Sequence, residues 1–360
     1  MNFLTVVILI FSLLGLLDRI IGNKFGLGSE FARGFSMFGV QALSSLGILI
    51  LAPAIGVMLM PAFEGFYSLF GIDPSVIPAS IFANDMGGTT LSLAISKIPT
   101  IGLYNAFIVS SMMGCTISYT IPVATGMVDV SQHKDMFLGF LCGIATIPVG
   151  CVVSGLMLKL DFGALLLNLL PVLLVSLITC LGLMFAPNLS RRIFRIIGVI
   201  VLTMITVGLS AGIFTHLTGV TLIPYMAPVT EGFSIVCEIA ILLAGVFPMI
   251  AVISKIFHPV LRRAGALIHI DESSVLGLIS SLANSIPTFD LVKNMNAKGI
   301  MMNMAFAVSA SFVLGDHLAF TMAFDAAYLP AMIVGKLTGG VSAVAVACLL
   351  YRRMEKKEHT

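Results

Sequence analysis

The sequence predicts an all-α polytopic membrane protein, with about nine transmembrane helices plus two re-entrant hairpins in an inverted repeat. The first observation is the scarcity of charge: Lys, Arg, Asp and Glu make up 10% of the 360 residues, whereas soluble domains carry about 25%. The second is the abundance of apolar residues, which reach 58% and give a mean hydropathy of +1.09. This composition excludes most soluble enzymes and nucleic-acid-binding proteins, and the net charge of +2 indicates no strongly charged partner.

The third observation is a series of apolar runs, each near the roughly 20 residues that a spanning helix needs. They lie at 1–17, 34–60, 102–126, 136–158, 163–186, 194–216, 231–256, 300–322 and 331–351. The first run lacks the basic start and the cleavage site of a signal peptide, so we expect it to be a retained span. The runs and their short connections fill the chain, and we expect no soluble domain.

Two further apolar segments, 76–98 and 274–293, are interrupted at their centres. The first carries Asn84-Asp85-Met86-Gly87-Gly88 and the second carries Asn284-Ser285-Ile286-Pro287. Glycine and proline break helices. Because broken backbone is tolerated at membrane depth only when it packs in protein or lines a wet cavity, these breaks predict an internal site.

The positions of Lys and Arg predict that the two broken segments turn back instead of crossing. Basic residues lie in loops 18–33, 188–195 and 255–272 and in the C-terminal tail, whereas loops 61–75, 217–230 and 323–330 contain none. If both broken segments crossed, 188–195 would lie on the opposite side from 18–33, against the positive-inside rule. If both are re-entrant, every basic loop lies inside. We therefore expect the N-terminus outside and the C-terminus in the cytoplasm.

The chain also resembles itself at an offset near 198 residues. Four matches keep the same order: Gly34-Phe35-Ser36 with Gly232-Phe233-Ser234, Ala83-Asn84 with Ala283-Asn284, Val109-Ser110 with Val308-Ser309, and Gly139…Gly143 with Gly335…Gly339. With re-entrant hairpins the two halves are inverted, which is a transporter architecture. The predicted organisation is a first half at 1–160, connecting helices at 161–230 and a second half at 231–360. The alternative is the general similarity of apolar sequences.

Ionisable groups at membrane depth are costly, which makes each one a candidate functional residue. Asp85 lies at the first break, where a carboxylate suits a cation; the alternative is a helix cap. Asp316 and His317 lie late in the run 300–322 and suit cation binding or proton relay, since His titrates near neutral pH. The alternative for this pair is a structural contact between two helices.

The remaining candidates are polar groups near the same positions. Asn84, Asn284 and Ser285 offer amides and a hydroxyl at the two breaks, either to a ligand or to the broken backbone. Thr116 and Ser118 lie in the run equivalent to that of Asp316, although such hydroxyls often bond to their own helix. Two accessory candidates are Glu238, about two turns into its span, and Lys336, either a counter-charge to Asp316 or a side chain that reaches the interface.

Several chemistries have no sequence support. The six cysteines lie in apolar segments without a Cys-x-x-Cys spacing, which is typical of small buried side chains and not of a metal cluster. There is no glycine-rich phosphate-binding loop with lysine. We therefore expect no cofactor and no metal. The Gly-x-x-x-Gly pairs are predicted to be helix-packing faces.

Six strings resemble those of the bacterial ethanolamine-utilisation membrane transporter family, in the same order and over nearly the whole chain. They are Asp85-Met86-Gly87-Gly88, Ser111-Met112-Met113-Gly114, Leu282-Ala283-Asn284, Phe306-Ala307-Val308-Ser309-Ala310, Leu314-Gly315-Asp316-His317-Leu318 and Val334-Gly335-Lys336. The resemblance implies that Asp85, Asn284, Asp316 and His317 are important. The chain departs from the family at Ser285, where an Asn is frequent.

The resemblance implies a transporter that imports ethanolamine across the bacterial cytoplasmic (inner) membrane by alternating access. The expected partners are this small protonated amino alcohol and the lipid bilayer, with no nucleic acid, and a homo-oligomer is left open. The alternatives are an ion-coupled carrier of another small amine or metabolite, an intramembrane enzyme that uses Asp85 and Asp316 as a carboxylate pair, and a membrane receptor. The expectation is that the protein is not an enzyme.

Overall fold

The computed structural model describes residues 3–358, apart from the side chains at 258, 261, 264, 266, 357 and 358. Positions 1–2 of the predicted first span and 359–360 of the predicted second half lie outside the described residues. The described chain is helical and contains no β-strand. The all-α class predicted from the sequence is confirmed.

Sixteen α-helices follow one another along residues 3–358. They are α1 (Phe3–Ile20), α2 (Leu27–Gln41), α3 (Gly47–Phe70), α4 (Val76–Ile81), α5 (Gly88–Ile95), α6 (Pro99–Tyr104), α7 (Ile121–Met127), α8 (His133–Met157), α9 (Phe162–Phe185), α10 (Pro187–Thr218), α11 (Val229–Leu267), α12 (Glu272–Ser281), α13 (Ser285–Leu291), α14 (Ala297–Ala310), α15 (Asp316–Asp325) and α16 (Leu329–Glu358). Wider π-helical turns at Ala42–Leu46, Asn105–Gly114 and Thr116–Thr120 join α2 to α3 and α6 to α7.

Eight helices in the described part of the chain are long and apolar enough to cross a membrane. They are Phe3–Ile20, Leu27–Phe70, Pro99–Met127, Val130–Met157, Phe162–Phe185, Pro187–Thr218, Val229–Phe257 and Asp316–Lys356. The prediction of one continuous helix over 300–322 is wrong, because α14 ends at Ala310 and α15 begins at Asp316. The protein is therefore multi-pass, with eight continuous candidate spans instead of the nine predicted.

The first predicted break is confirmed between α4 and α5. The backbone is extended at Phe82, forms one short 3-10 turn over Asn84–Met86 and is left-handed at Gly87, with φ 103°. Glycine adopts this conformation without the steric cost of a side chain. The amides of Met86 and Gly88 both donate to the Ala83 carbonyl, so the break satisfies part of its own backbone.

Asp73 holds together the two ends of this first broken segment. Its Oδ2 accepts hydrogen bonds from the Lys97 and Ile98 amides at 2.9 and 2.6 Å, and its Oδ1 accepts one from the Ser75 amide at 2.9 Å. The chain that leaves at Asp73 thus returns to the same place at Lys97. Helices α4 and α5 also contact each other.

Asp271 plays the same part for the second broken segment, 198 residues further along the chain. Its Oδ1 accepts from the Ser274 amide at 2.8 Å, and its Oδ2 accepts from the Asn296 amide at 2.7 Å. The break between α12 and α13 is confirmed, and the Asn284 side chain caps α13 by accepting from the Ile286 amide at 2.9 Å.

A third break, at 311–315, separates α14 from α15. The Phe312 and Leu314 amides donate to the Ser281 and Leu282 carbonyls, both at 2.9 Å. The last carbonyls of a helix lack partners within the helix, so the third break satisfies the end of α12. The second and third breaks are therefore joined to each other by main-chain hydrogen bonds.

The long helices pack around these breaks. A central group of α8, α14 and α16 is in close contact, and a second group pairs α2 with α11 and α1 with α11. Gly139 of α8 lies so close to α14 that an added Cβ would be 2.5 Å from the Met301 carbonyl oxygen, and an added Cβ at Gly335 of α16 would be 1.8 Å from the Ser154 hydroxyl oxygen of α8. The prediction that the Gly-x-x-x-Gly pairs are packing faces is confirmed.

Candidate functional site

The three breaks meet inside the helical bundle. Ala83 of the first break, Phe312 of the third and Cys115 form one buried apolar cluster, against which Tyr119 packs. The rings of Phe312 and Tyr119 meet edge to face, with their centroids 5.4 Å apart. Since the third break is bonded to the second through the main chain, residues from all three breaks surround one internal region.

Asn84 and Asp85 enter this region from the first break. Asn84 is fully buried, and neither its amide oxygen nor its amide nitrogen has a hydrogen-bonding partner among the described residues. Asp85 is half-buried, and its charge acts on Lys336 and Asp316. A buried amide without a partner in the protein is unusual, because its desolvation is not offset.

Asp316 and His317 enter from the start of α15. Asp316 is 7% exposed, and its Oδ1 has no partner in the described part of the protein. The Gln41 side chain faces this carboxylate. His317 is 1% exposed, its Nδ1 also lacks a partner within the described chain, and its ring lies 5.2 Å from that of Phe312.

Lys336 reaches the region from α16 and is 1% exposed. Its Nζ donates to the Ser111 carbonyl at 2.5 Å. The acid whose charge acts on it is Asp85, whereas the cation that acts on Asp316 is Arg33. Because it is buried, the Lys336 side chain does not reach the interface, and within the described chain it forms no ion pair with Asp85 or Asp316.

The second break contributes Asn284 and Ser285. Ser285 is fully buried, and its Oγ finds no partner among the described residues, whereas the Asn284 oxygen is used by the helix cap. Asn284 also lines a cavity of about 200 Å³ with Glu30 and Arg33. Arg33 and Glu30 form an ion pair at 3.2 Å. The cavity beside the second break is therefore lined by charged side chains.

Thr116 and Ser118 are both occupied by the backbone. The single Thr116 hydroxyl proton is shared between the Met112 and Val308 carbonyls, whose oxygens lie 2.7 and 3.0 Å from the hydroxyl oxygen. The Ser118 hydroxyl donates to the Gly114 carbonyl at 2.9 Å and accepts from the Ala83 amide at 3.0 Å. These hydroxyls support the site's backbone.

Glu238 does not join the buried group. It is exposed on α11, where its neighbours Cys237 and Ile241 are exposed as well. The Glu238 side chain therefore lies on the outer surface of the helical bundle, not at the three breaks.

Sequence reasoning missed several buried polar groups of this region. Gln41 is 3% exposed and its Oε1 lacks a partner in the described chain, and the hydroxyls of Ser309, Ser311 and Thr321 are in the same state. The available signal was a lone Gln in the middle of the apolar run 34–60. The hydroxyls gave no such signal, because Ser and Thr are common in spanning helices.

The chemistry of the site follows from its donor and acceptor atoms. Among the described residues, no group of three or more His, Cys, Asp or Glu side chains is arranged to hold a metal ion. The site instead combines two carboxylates with amides and hydroxyls. This set suits a small polar cation, because a carboxylate accepts charge-assisted hydrogen bonds and amides serve as donors or acceptors.

Eight candidate spans, interrupted helices and a buried polar region define the described chain as a polytopic membrane protein with an internal polar site. The family described as "Ethanolamine utilisation protein, EutH" matches residues 1–350. The chain belongs to this family, as its resemblance predicted.

Curated relatives agree over almost the full length of both chains. "Probable ethanolamine permease EutH" of Listeria monocytogenes is 44% identical over 97% of this chain and 93% of its own. "Uncharacterized protein YxeR" of Bacillus subtilis is 40% identical, over 97% and 94% of the two chains. "Probable ethanolamine permease EutH" of Salmonella typhimurium is 35% identical, over 96% and 94%. No solved structure matches this chain. The relatives with a functional name are named as permeases and not as enzymes.

Proposed function

We propose that this protein imports ethanolamine across the bacterial cytoplasmic membrane. The observation that carries the proposal is the junction of the three breaks, where the carboxylates of Asp85 and Asp316 lie among buried polar atoms without partners in the described protein. The names of the relatives support the same substrate.

The chemistry of ethanolamine fits this junction. The molecule carries an ammonium group, which is protonated at neutral pH, and a hydroxyl two carbons away. The ammonium would bind a carboxylate, Asp85 or Asp316, through charge-assisted hydrogen bonds, which are about twice as strong as neutral ones. The hydroxyl would bind the amide of Asn84 or the hydroxyl of Ser285, which would offset the desolvation of these buried groups.

The inverted repeat and the re-entrant hairpins belong to this proposal. Asp73 and Asp271, which are 198 residues apart, each join the two ends of a broken segment, as the base of a hairpin requires. Helix α1 of the first half also packs on α11 of the second half. Two inverted halves with broken helices at a shared site support alternating access.

Transport in proteoliposomes tests the function directly. We expect saturable uptake of labelled ethanolamine, which unlabelled ethanolamine suppresses and which is lost in Asp85→Asn and in Asp316→Asn. The matched control is Asp290→Asn, because Asp290 is an exposed acid paired with Lys293 at 3.0 Å. Uptake no faster than in empty vesicles would contradict the function. Unchanged uptake in both Asp85→Asn and Asp316→Asn would contradict the proposed binding site.

The second candidate is an ion-coupled carrier of another small amine. It is favoured by the presence of two carboxylates at the junction, since one could bind the amine and the other a proton or a sodium ion. Competition by ethanolamine, choline and small amino acids, measured with and without ion gradients, separates the two candidates. Stronger inhibition by a different amine would favour this second function.

A further inference from the structure

A groove between α7 and the first half of α10 is lined by none of the residues at the three breaks. Its volume is about 550 Å³. Its lining residues are Pro122, Thr125, Gly126, Asn188, Arg191, Arg192, Arg195, Gly198, Val199 and Leu202. Nothing in the transport proposal uses these side chains.

One end of the groove is strongly basic. Arg191, Arg192 and Arg195 lie within five residues of one another on α10, and the Arg191 guanidinium donates to the Asn188 side-chain oxygen. None of the three arginines forms an ion pair with an acid of the described chain. These positive charges, near the first turn of a helix that begins at Pro187, attract an anion.

The other end of the groove is apolar. Val199 and Leu202 lie further along the same helix and are 57% and 62% exposed. By the rise of an α-helix, Leu202 lies about 16 Å from Arg191. Over this distance the groove passes from guanidinium groups to exposed aliphatic side chains. The distance is comparable to that from a phospholipid headgroup into its acyl chains.

We propose that this groove binds one anionic phospholipid. The arginines would hold the phosphate of its headgroup through paired N–H donors, and an acyl chain would cover Gly198, Val199 and Leu202. Basic recesses between membrane helices bind such headgroups. A free phosphate would use only the basic half and would leave the exposed aliphatic half uncovered, which is why the occupant is a lipid.

The test measures binding of phosphatidylglycerol to the purified full-length protein by native mass spectrometry and by the shift in unfolding temperature. Phosphatidylcholine and inorganic phosphate are the comparison ligands. We expect phosphatidylglycerol to bind and to stabilise the wild type. In R191Q/R192Q/R195Q, the affinity should fall by more than about tenfold, since each basic residue at an anionic lipid contributes.

The matched control is R262Q/R263Q/R352Q, which removes the same charge from exposed basic positions outside the groove. Equal loss in this control would overturn the site, because general surface charge would then explain the binding. Equal stabilisation by inorganic phosphate would overturn the lipid assignment. Leu202→Ser keeps all three arginines and tests the apolar half independently of their effect on folding. Unchanged phosphatidylglycerol binding in this variant would also count against the proposal.

Discussion

At the scale of single residues, buried polar side chains fall into two groups that the sequence does not distinguish. Thr116 and Ser118 are bonded to the backbone, whereas Asn84 and Ser285 are equally buried but have no partner in the described protein. The first group supports the fold. We propose that the second group binds a polar ligand, because only a ligand or solvent would compensate the cost of its desolvation.

The variants Asn84→Ala and Ser118→Ala should separate these roles. Asn84→Ala breaks no bond within the described protein, so we expect ethanolamine uptake to fall while the free energy of unfolding is unchanged or slightly raised. Ser118→Ala leaves the Ala83 amide without its acceptor and should lower the unfolding free energy by about 1–3 kcal/mol. Uptake and unfolding of both variants in the same detergent check this. If only Asn84→Ala lowered the free energy of unfolding, Asn84 would be the structural residue and Ser118 would not.

At the scale of elements, the molecule is organised by short interruptions whose ends are joined. Asp73 and Asp271 each connect the two ends of a broken segment, and the third break is connected to the second by two main-chain hydrogen bonds. Unsatisfied backbone groups are very costly away from water. Each interruption therefore has partners supplied by another segment.

Asp73→Ala should destabilise the first broken segment. The substitution removes the acceptor of the Lys97 and Ile98 amides, each a bond to a charged group, so we expect a loss of about 2–4 kcal/mol in the free energy of unfolding. The control is Asp161→Ala, because Asp161 accepts one bond, from the Ala164 amide, in an exposed position. Chemical unfolding followed by circular dichroism measures both. An effect of Asp73→Ala no larger than that of Asp161→Ala would show that the segment does not depend on this contact.

Gly315→Ala should separate the second and third breaks. An added Cβ at Gly315 would lie 2.1 Å from the Ala283 carbonyl oxygen, so the two backbones have to move apart. We expect uptake to be abolished and the unfolding temperature to fall. Gly39→Ala is the control, since a Cβ there meets nothing within 4 Å and alanine favours the helix by about 1 kcal/mol. Normal uptake by Gly315→Ala would show that the contact is dispensable.

At the scale of the whole molecule, the distribution of Lys and Arg predicts one orientation, in which α14 and α15 cross the membrane together as one interrupted span and make the ninth crossing. The ends of the first broken segment, at Asp73, and those of the second, at Asp271, would then open to opposite sides. The site at the junction would be reached from either side in turn. This geometry is what an alternating-access carrier needs.

Labelling with a membrane-impermeant maleimide tests this orientation. In a variant without the six native cysteines, we expect Thr221→Cys to be labelled in intact cells and Glu355→Cys only in inverted vesicles, since both positions are exposed. The permeant maleimide controls for reactivity. Labelling of both positions from the same side would contradict the proposed number of crossings.

The sequence by itself determined the membrane class, the approximate spans and the breaks at Asn84 and Asn284, because hydropathy, glycine and proline act locally. It also singled out Asp85 and Asp316, since charge at membrane depth is rare. Only the tertiary structure decided that the run 300–322 is interrupted, because the Phe312 and Leu314 amides leave the helix to satisfy the carbonyls at the end of α12. That partner is remote in sequence, and no local pattern encodes it. For the same reason, the tertiary structure alone decided which buried hydroxyls bond to the backbone and which have no partner in the described protein.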